Sequence, residues 1–135
     1  MREIKFRGKS IVEPEWVYGY YYKTGRFGMI CQDKNTLKTT VNIETVGQYT
    51  GLKDTNKKEI YEGDIVKAYI YNYERTGGNL DDIEIIGTIT YEDCTWFIEV
   101  NKDEEYELFE MYINDDELEV IGNIYANPEL LERNN

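Results

Sequence analysis

Histidine is absent from the 135 residues. The side chain that most often moves protons near neutral pH, and that completes Ser-His or Cys-His pairs and most zinc sites, is therefore missing. Carboxylates, two thiols and many phenols remain. The carboxylates gather as Asp81-Asp82, Asp103-Glu104-Glu105 and Asp115-Asp116-Glu117, groupings whose oxygens suit Ca²⁺ or Mg²⁺ or, in pairs, acid–base work. All three fall in turn-like stretches, where solvated loop charge is the better reading. Asp54-Thr55-Asn56 lacks the Gly and later ligands of an EF-hand loop, and Lys57 and Lys58 repel a cation. Cys31 and Cys94 have no His to activate them and no repeated spacing, so they read as reduced, partly buried structural thiols. Gly77-Gly78 precedes no helix that offers its N-terminus to a phosphate. The expectation is no metal, no cofactor, no catalytic residue and no enzyme.

The elements that must position these groups are mainly strands. Ile4 to Arg7 alternates polar and apolar residues, Trp16 to Tyr22 does so with four tyrosines and a tryptophan, and Phe27 to Gln32 follows a Thr24-Gly25-Arg26 turn, so the first third reads as a β meander. Asp33-Lys34-Asn35-Thr36 suits a further turn, and Val41 to Thr50 another strand. Gly51 to Lys58 reads as a loop or hairpin. Glu62-Gly63-Asp64 is a tight turn into a long aromatic strand, Ile65 to Tyr73, with Ile65, Lys67, Tyr69, Tyr71 and Tyr73 on one face. Thr76 to Asp82 is the most flexible-looking segment. Ile83 to Tyr91 and Cys94 to Val100 form a hairpin, Tyr106 to Ile113 is strand or short helix, and Leu118 to Tyr125 is a last strand. Asn127 and Pro128 suit the N-cap and first position of a short C-terminal helical turn, and nothing else is convincingly helical.

Length fits one domain, and aromatics at 14% of the chain supply a core despite a mean hydropathy of -0.65. The apolar runs are far shorter than the roughly 20 residues of a membrane span, and the N-terminal residues lack the pattern of a secretory signal, so a cytoplasmic protein is expected. A net charge of -12 opposes simple attachment to nucleic acid or anionic lipid. The charge is uneven: residues 1–68 hold 12 basic and 9 acidic side chains, and residues 69–135 hold 3 and 18.

Three spans, Val46 to Asp54, Glu59 to Val66 and Glu119 to Leu131, closely resemble the hallmark segments of the YopX family of phage and prophage proteins. Arg2 to Gly8 and Trp16-Val17-Tyr18-Gly19 resemble its usual start. The resemblance covers the whole chain as a single domain. It implies a β-rich N-terminal portion over residues 1–50 and an SH3-like barrel over residues 51–135, in a family without an established activity. One departure stands out. The family often has Asn-Gly after its Lys-Asp pair, whereas Asn56 is followed here by Lys57, which tolerates a positive φ poorly and puts a tight two-residue turn in doubt.

The expected function is a non-enzymatic phage accessory module that binds a host or phage protein, with self-association through Tyr-bearing strands compatible with it. Its candidate surface is Gln48, Tyr49, Lys53, Asp54, Tyr61, Asp64, Tyr69 and Tyr71. For the segments that hold Asp54 and Asp64 the plainer account is turn chemistry, with both carboxylates bonding nearby amides. The tyrosines at 18, 20 and 22 and at 69, 71 and 73 suit base stacking, but strand packing or a subunit interface explains them better. The rival is nucleic-acid binding, with Lys5, Arg7, Lys9, Lys53, Lys57 and Lys58 as phosphate contacts, or an acidic second half that imitates nucleic acid. An enzyme using carboxylate, Tyr or Lys alone ranks last.

Overall fold

β-branched and aromatic runs punctuated by Gly, Asp and Asn give a chain that is mostly strand, arranged in antiparallel sheets with short helical pieces between them. The computed structural model describes residues 3–32 and 38–134, with backbone only at 73, 74, 133 and 134. Arg2, the turn expected at Asp33-Lys34-Asn35-Thr36 and the side chain of Tyr73 lie outside the described residues. The chain divides into two compact units, residues 1–52 and 53–135.

In the first unit β1 (Phe6–Lys9), β2 (Trp16–Thr24), β3 (Phe27–Cys31) and β4 (Lys38–Val41) succeed one another as an antiparallel meander, and β5 (Gly47–Lys53) pairs with the other side of β1. The two-residue period of β2 sends Val17 and Tyr21 inward, onto Ile30 and Val41, and leaves Tyr18, Tyr20 and Tyr22 outside. Gly19 is required where β2 passes β3, because a Cβ there would lie 2.1 Å from the carbonyl oxygen of Cys31. The single strand expected over Val41 to Thr50 is instead broken by a 3₁₀ turn, Ile43–Thr45. Asn42 ends β4 by accepting the N–H of Glu44 on its side chain (3.1 Å), an N-cap that competes with extended backbone.

The second unit contains β6 (Glu59–Tyr61), followed by β7 (Asp64–Ile70), helix α1 (Asn72–Thr76), β8 (Ile83–Glu92), β9 (Thr95–Asn101), β10 (Glu104–Glu107), helix α2 (Leu108–Ile113), β11 (Glu117–Asn123) and a 3₁₀ segment, Pro128–Asn134. Its sheet has the order β10-β9-β8-β7-β11, and no described pairing joins the outer strands β10 and β11. Val66, Ala68, Ile85, Ile89, Trp96, Ile98, Leu118 and Val120 fill one face, which Leu108 and Met111 of α2 complete. Tyr91 and Trp96 stack edge-on as a cross-strand pair, ring centroids 4.7 Å apart, beside the β8–β9 turn. Asp93 and Cys94 form that turn, both at positive φ, as a two-residue I′ hairpin requires. Cys94 is accordingly exposed rather than partly buried, while Cys31 is half-buried.

Two expectations about helix are corrected. The long strand over Ile65 to Tyr73 stops at Ile70 because the Tyr71 N–H turns to a carboxylate oxygen of Asp116 (3.3 Å) and Asn72 opens α1, with its side chain donating to the Asp81 carbonyl (2.7 Å). Tyr71 and Tyr73 are thus outside the strand that carries Lys67 and Tyr69. Residues 106–113 are divided: Tyr106 and Glu107 end β10, and α2 begins at Leu108.

The loop after β5 resolves the Asn56-Lys57 question. Lys57 N–H donates to the Asp54 carbonyl (2.9 Å) and Asp54 N–H to the Lys58 carbonyl (2.8 Å), so the loop has three residues, a turn followed by a left-handed residue. That residue is Lys57, at φ 68. Lys57→Gly is expected to stabilise the protein by about 1 kcal/mol, raising Tm by about 3–5 °C in a thermal melt.

Candidate binding cleft

Asp54 organises one wall of the site. One of its carboxylate oxygens accepts the N–H groups of Asn56 (2.9 Å) and Lys58 (2.8 Å), and the other accepts the N–H of Val120 on β11 (3.0 Å). Thr55 continues the contact: its N–H donates to the Leu118 carbonyl (2.8 Å) and its hydroxyl oxygen accepts the Leu118 N–H (2.8 Å). The outer edge of β11, which otherwise presents unpaired amides to any passing strand, is therefore covered by two side chains and one amide of the 54–55 turn.

The opposite wall is α2 and the turn after it. Leu108 and Met111 face the core, and the short helix leaves Phe109, Tyr112 and Ile113 exposed, Tyr112 by 59% and Ile113 by 64%. Between the walls lies a cleft of about 860 Å³ lined by Lys53, Asp54 and Thr55, by Tyr71, and by Met111 to Leu118. At its floor Asp116, with its side chain only 1% exposed, forms an ion pair with Arg75 of α1 and accepts the Tyr71 N–H. Asp116 is thus not the solvated turn carboxylate expected from its neighbours Asp115 and Glu117, both of which are exposed. Tyr71 bonds Glu117, and this bond, with burial as the lesser cause, raises its phenol above the usual range.

The two buried carboxylates of the cleft are structural. Asp54 accepts three backbone amides and Asp116 pairs with a guanidinium, so both hold the walls of the cleft in place. Among the described residues no three Cys, Asp or Glu side chains converge as metal ligands do. Elsewhere in this unit, burial and then a 2.5 Å hydrogen bond to Glu104 push the Tyr106 phenol up to about 12. A folded value above the ordinary phenol value of about 10 means its contribution to stability is complete below that pH and lost as pH rises through about 12. In an ultraviolet phenolate titration Tyr106→Phe should remove a component of the late rise and leave the early rise unchanged.

The cleft brings together three of the residues singled out in the sequence, Lys53, Asp54 and Tyr71. Tyr69 lies on the outer face of β7, its ring edge-on to that of Tyr71 with centroids 4.9 Å apart, beside Lys67, which bonds Glu84 at 3.0 Å. Tyr61 and Asp64 are buried: the Asp64 carboxylate accepts the Tyr61 N–H (2.8 Å) across the turn at Gly63, φ 90. Gln48 and Tyr49 belong to β5 of the first unit, where Lys5 lies over the Tyr49 ring at 5.4 Å. Of the proposed phosphate contacts, Lys5 is 3.8 Å from Glu3, Arg7 is buried against the Trp16 ring at 4.9 Å, and Lys9 is half-buried. Lys53, Lys57 and Lys58 are exposed in the second unit. Sequence reasoning missed Phe109, Tyr112, Ile113 and Arg75. The apolar spacing at 109, 112 and 113 was available as a signal, whereas nothing local marks Arg75.

The family model described as YopX protein matches residues 4–132. The chain belongs to the YopX family. A crystal structure of protein EF1440 from Enterococcus faecalis shares the fold, with a TM-score of 0.53 and 24% identity over 97% of this chain and 99% of that one. No curated protein matches the chain. In this YopX protein the segments that carry the resemblance bond to one another: Asp54 accepts from Val120, and the Gly63 carbonyl accepts the Ile124 N–H (2.9 Å). Those of residues 53–66 and 119–131 belong to the second unit, and the exposed apolar side chains of α2 lie outside them.

Proposed function

We propose that this YopX protein is a non-enzymatic binding module, a cytoplasmic accessory protein of phage or prophage origin, whose second unit grips a segment of a partner protein. The observation that carries this reading is the pairing of Tyr112 and Ile113, more than half exposed, with a cleft rimmed by Asp115 and Glu117. Exposed apolar side chains beside a concave, polar-rimmed surface are what a protein interface needs, and the carboxylate rim favours a segment that carries Lys or Arg. The five-stranded sheet that supports the cleft is read here as an SH3-like barrel left open between β10 and β11. Among the described residues no helix is long and apolar enough to cross a membrane.

The test is comparative capture from host lysate after nuclease treatment, using the wild type and a Tyr112→Ser/Ile113→Ser double variant. Both positions are exposed, so the melting temperature should stay nearly unchanged. A protein retained by the wild type and lost at least about tenfold by the variant supports the reading, the loss expected for truncating interface anchors. Equal capture by both proteins contradicts it.

A further inference from the structure

We propose that the outer face of β2 and β3 in the first unit is a second binding surface, for single-stranded nucleic acid, whose bases stack on Tyr18, Tyr20, Tyr22 and Phe27. This surface is independent of the cleft in the second unit.

The strand register puts these rings together. Tyr20 pairs with Cys31, Tyr22 with Met29 and Thr24 with Phe27, while Tyr18 pairs with Arg7 on β1. Directly opposed residues of an antiparallel pair share a face, and i, i+2 residues of one strand do too. The opposite face holds the core of the unit, Val17, Ile30 and Val41. The four rings are between 39 and 58% exposed, although the chain has buried apolar positions in plenty. Four large aromatic side chains on one open sheet face form a ligand surface rather than scattered exposure.

Charge selects the occupant. The same parity places half-buried Lys9 of β1 and exposed Lys38 of β4 on this face, beside Arg7, which is buried against Trp16, and among its described paired positions there is no Asp or Glu. The first unit as a whole has 8 basic and 5 acidic side chains, whereas the second has 7 and 22. The net charge of -12 that opposes nucleic-acid binding for the chain is therefore carried entirely by the other unit. An anionic polymer with planar bases complements rings flanked by cations, and stacking on ring faces is tolerant of sequence. A second copy of this face brings the same cations and, at its described paired positions, no carboxylate to pair with them, which disfavours self-association here. A duplex keeps its bases stacked inside, out of reach of a flat sheet.

The experiment is fluorescence anisotropy of the full chain with a labelled dT oligomer of roughly 10 nucleotides, within the site sizes of small stacking domains, at low salt. The oligomer should bind, a duplex of the same length should bind at least about tenfold more weakly, and affinity should fall as salt rises. Tyr20→Ala/Phe27→Ala should weaken binding about tenfold or more with an unchanged melt. Lys38→Gln, which leaves the rings in place, should flatten the salt dependence. No anisotropy change at low salt overturns the proposal, as does affinity that survives the ring substitutions. Dimers seen by light scattering and abolished by Tyr20→Ala/Phe27→Ala also overturn it and assign the face to a second copy. None of these outcomes bears on the Tyr112→Ser/Ile113→Ser comparison.

Discussion

Asp54→Ala is expected to lower the melting temperature by roughly 10–15 °C, a loss of about 3 kcal/mol in a protein of this size. Three amide N–H groups lose their acceptor at once, and those of Lys58 and Val120 hold the loop closed and the β11 edge covered. Hydrogen bonds to a charged acceptor each contribute roughly 1.5–3 kcal/mol, and water replaces part of what the exposed turn loses. Asp54→Asn keeps an acceptor oxygen without the charge and should cost about half as much. Uncovering the Val120 N–H also bares a strand edge, so the Ala variant should associate on warming where the wild type does not, read by light scattering alongside the melt.

Arg75→Met is expected to cost about 3 kcal/mol, measured by urea unfolding, because it leaves the buried Asp116 carboxylate without its guanidinium. Arg75 is 26% exposed, which puts the effect at the lower end of the range for broken buried pairs. The double variant Arg75→Met/Asp116→Leu removes the stranded charge as well and should recover most of the loss. A double variant no more stable than Arg75→Met would show that Asp116 matters for its bond to the Tyr71 amide rather than for its charge.

The sequence makes the sheets legible through period-2 patterns, as in Trp16 to Tyr22, where alternation groups Tyr18, Tyr20 and Tyr22 on one strand face, but that this face is the exposed one, rather than packed as expected, shows only in the structure. The hairpin between Ile83 and Val100 is legible for the same reason, and so is the start of the last helical segment at Pro128, since a fixed φ is a local property, although the Asn127 side chain accepts the Asn123 N–H rather than capping that segment. Asp54 and Asp64 follow the turn chemistry read for them. What stays hidden is set by partners distant in the chain. Asp115, Asp116 and Glu117 look alike, but only Asp116 meets an arginine 41 residues away. Ile65 to Tyr73 reads as one strand because the carboxylate that takes the Tyr71 amide lies 45 residues off. The short helix α2 has too few residues for a helical period to stand out from a strand pattern, so the apolar spacing at 109, 112 and 113, though present, did not separate an exposed helix face from a strand.

The central claim, that the second unit binds a partner protein between the 54–55 turn and α2, is tested most directly by hydrogen–deuterium exchange on the complex captured from host lysate. Predicted is protection on binding in peptides covering residues 109–118, with little change in the already hydrogen-bonded strands β7 to β9. A complex that leaves 109–118 exchanging as in the free protein, with protection confined to other segments, contradicts the claim.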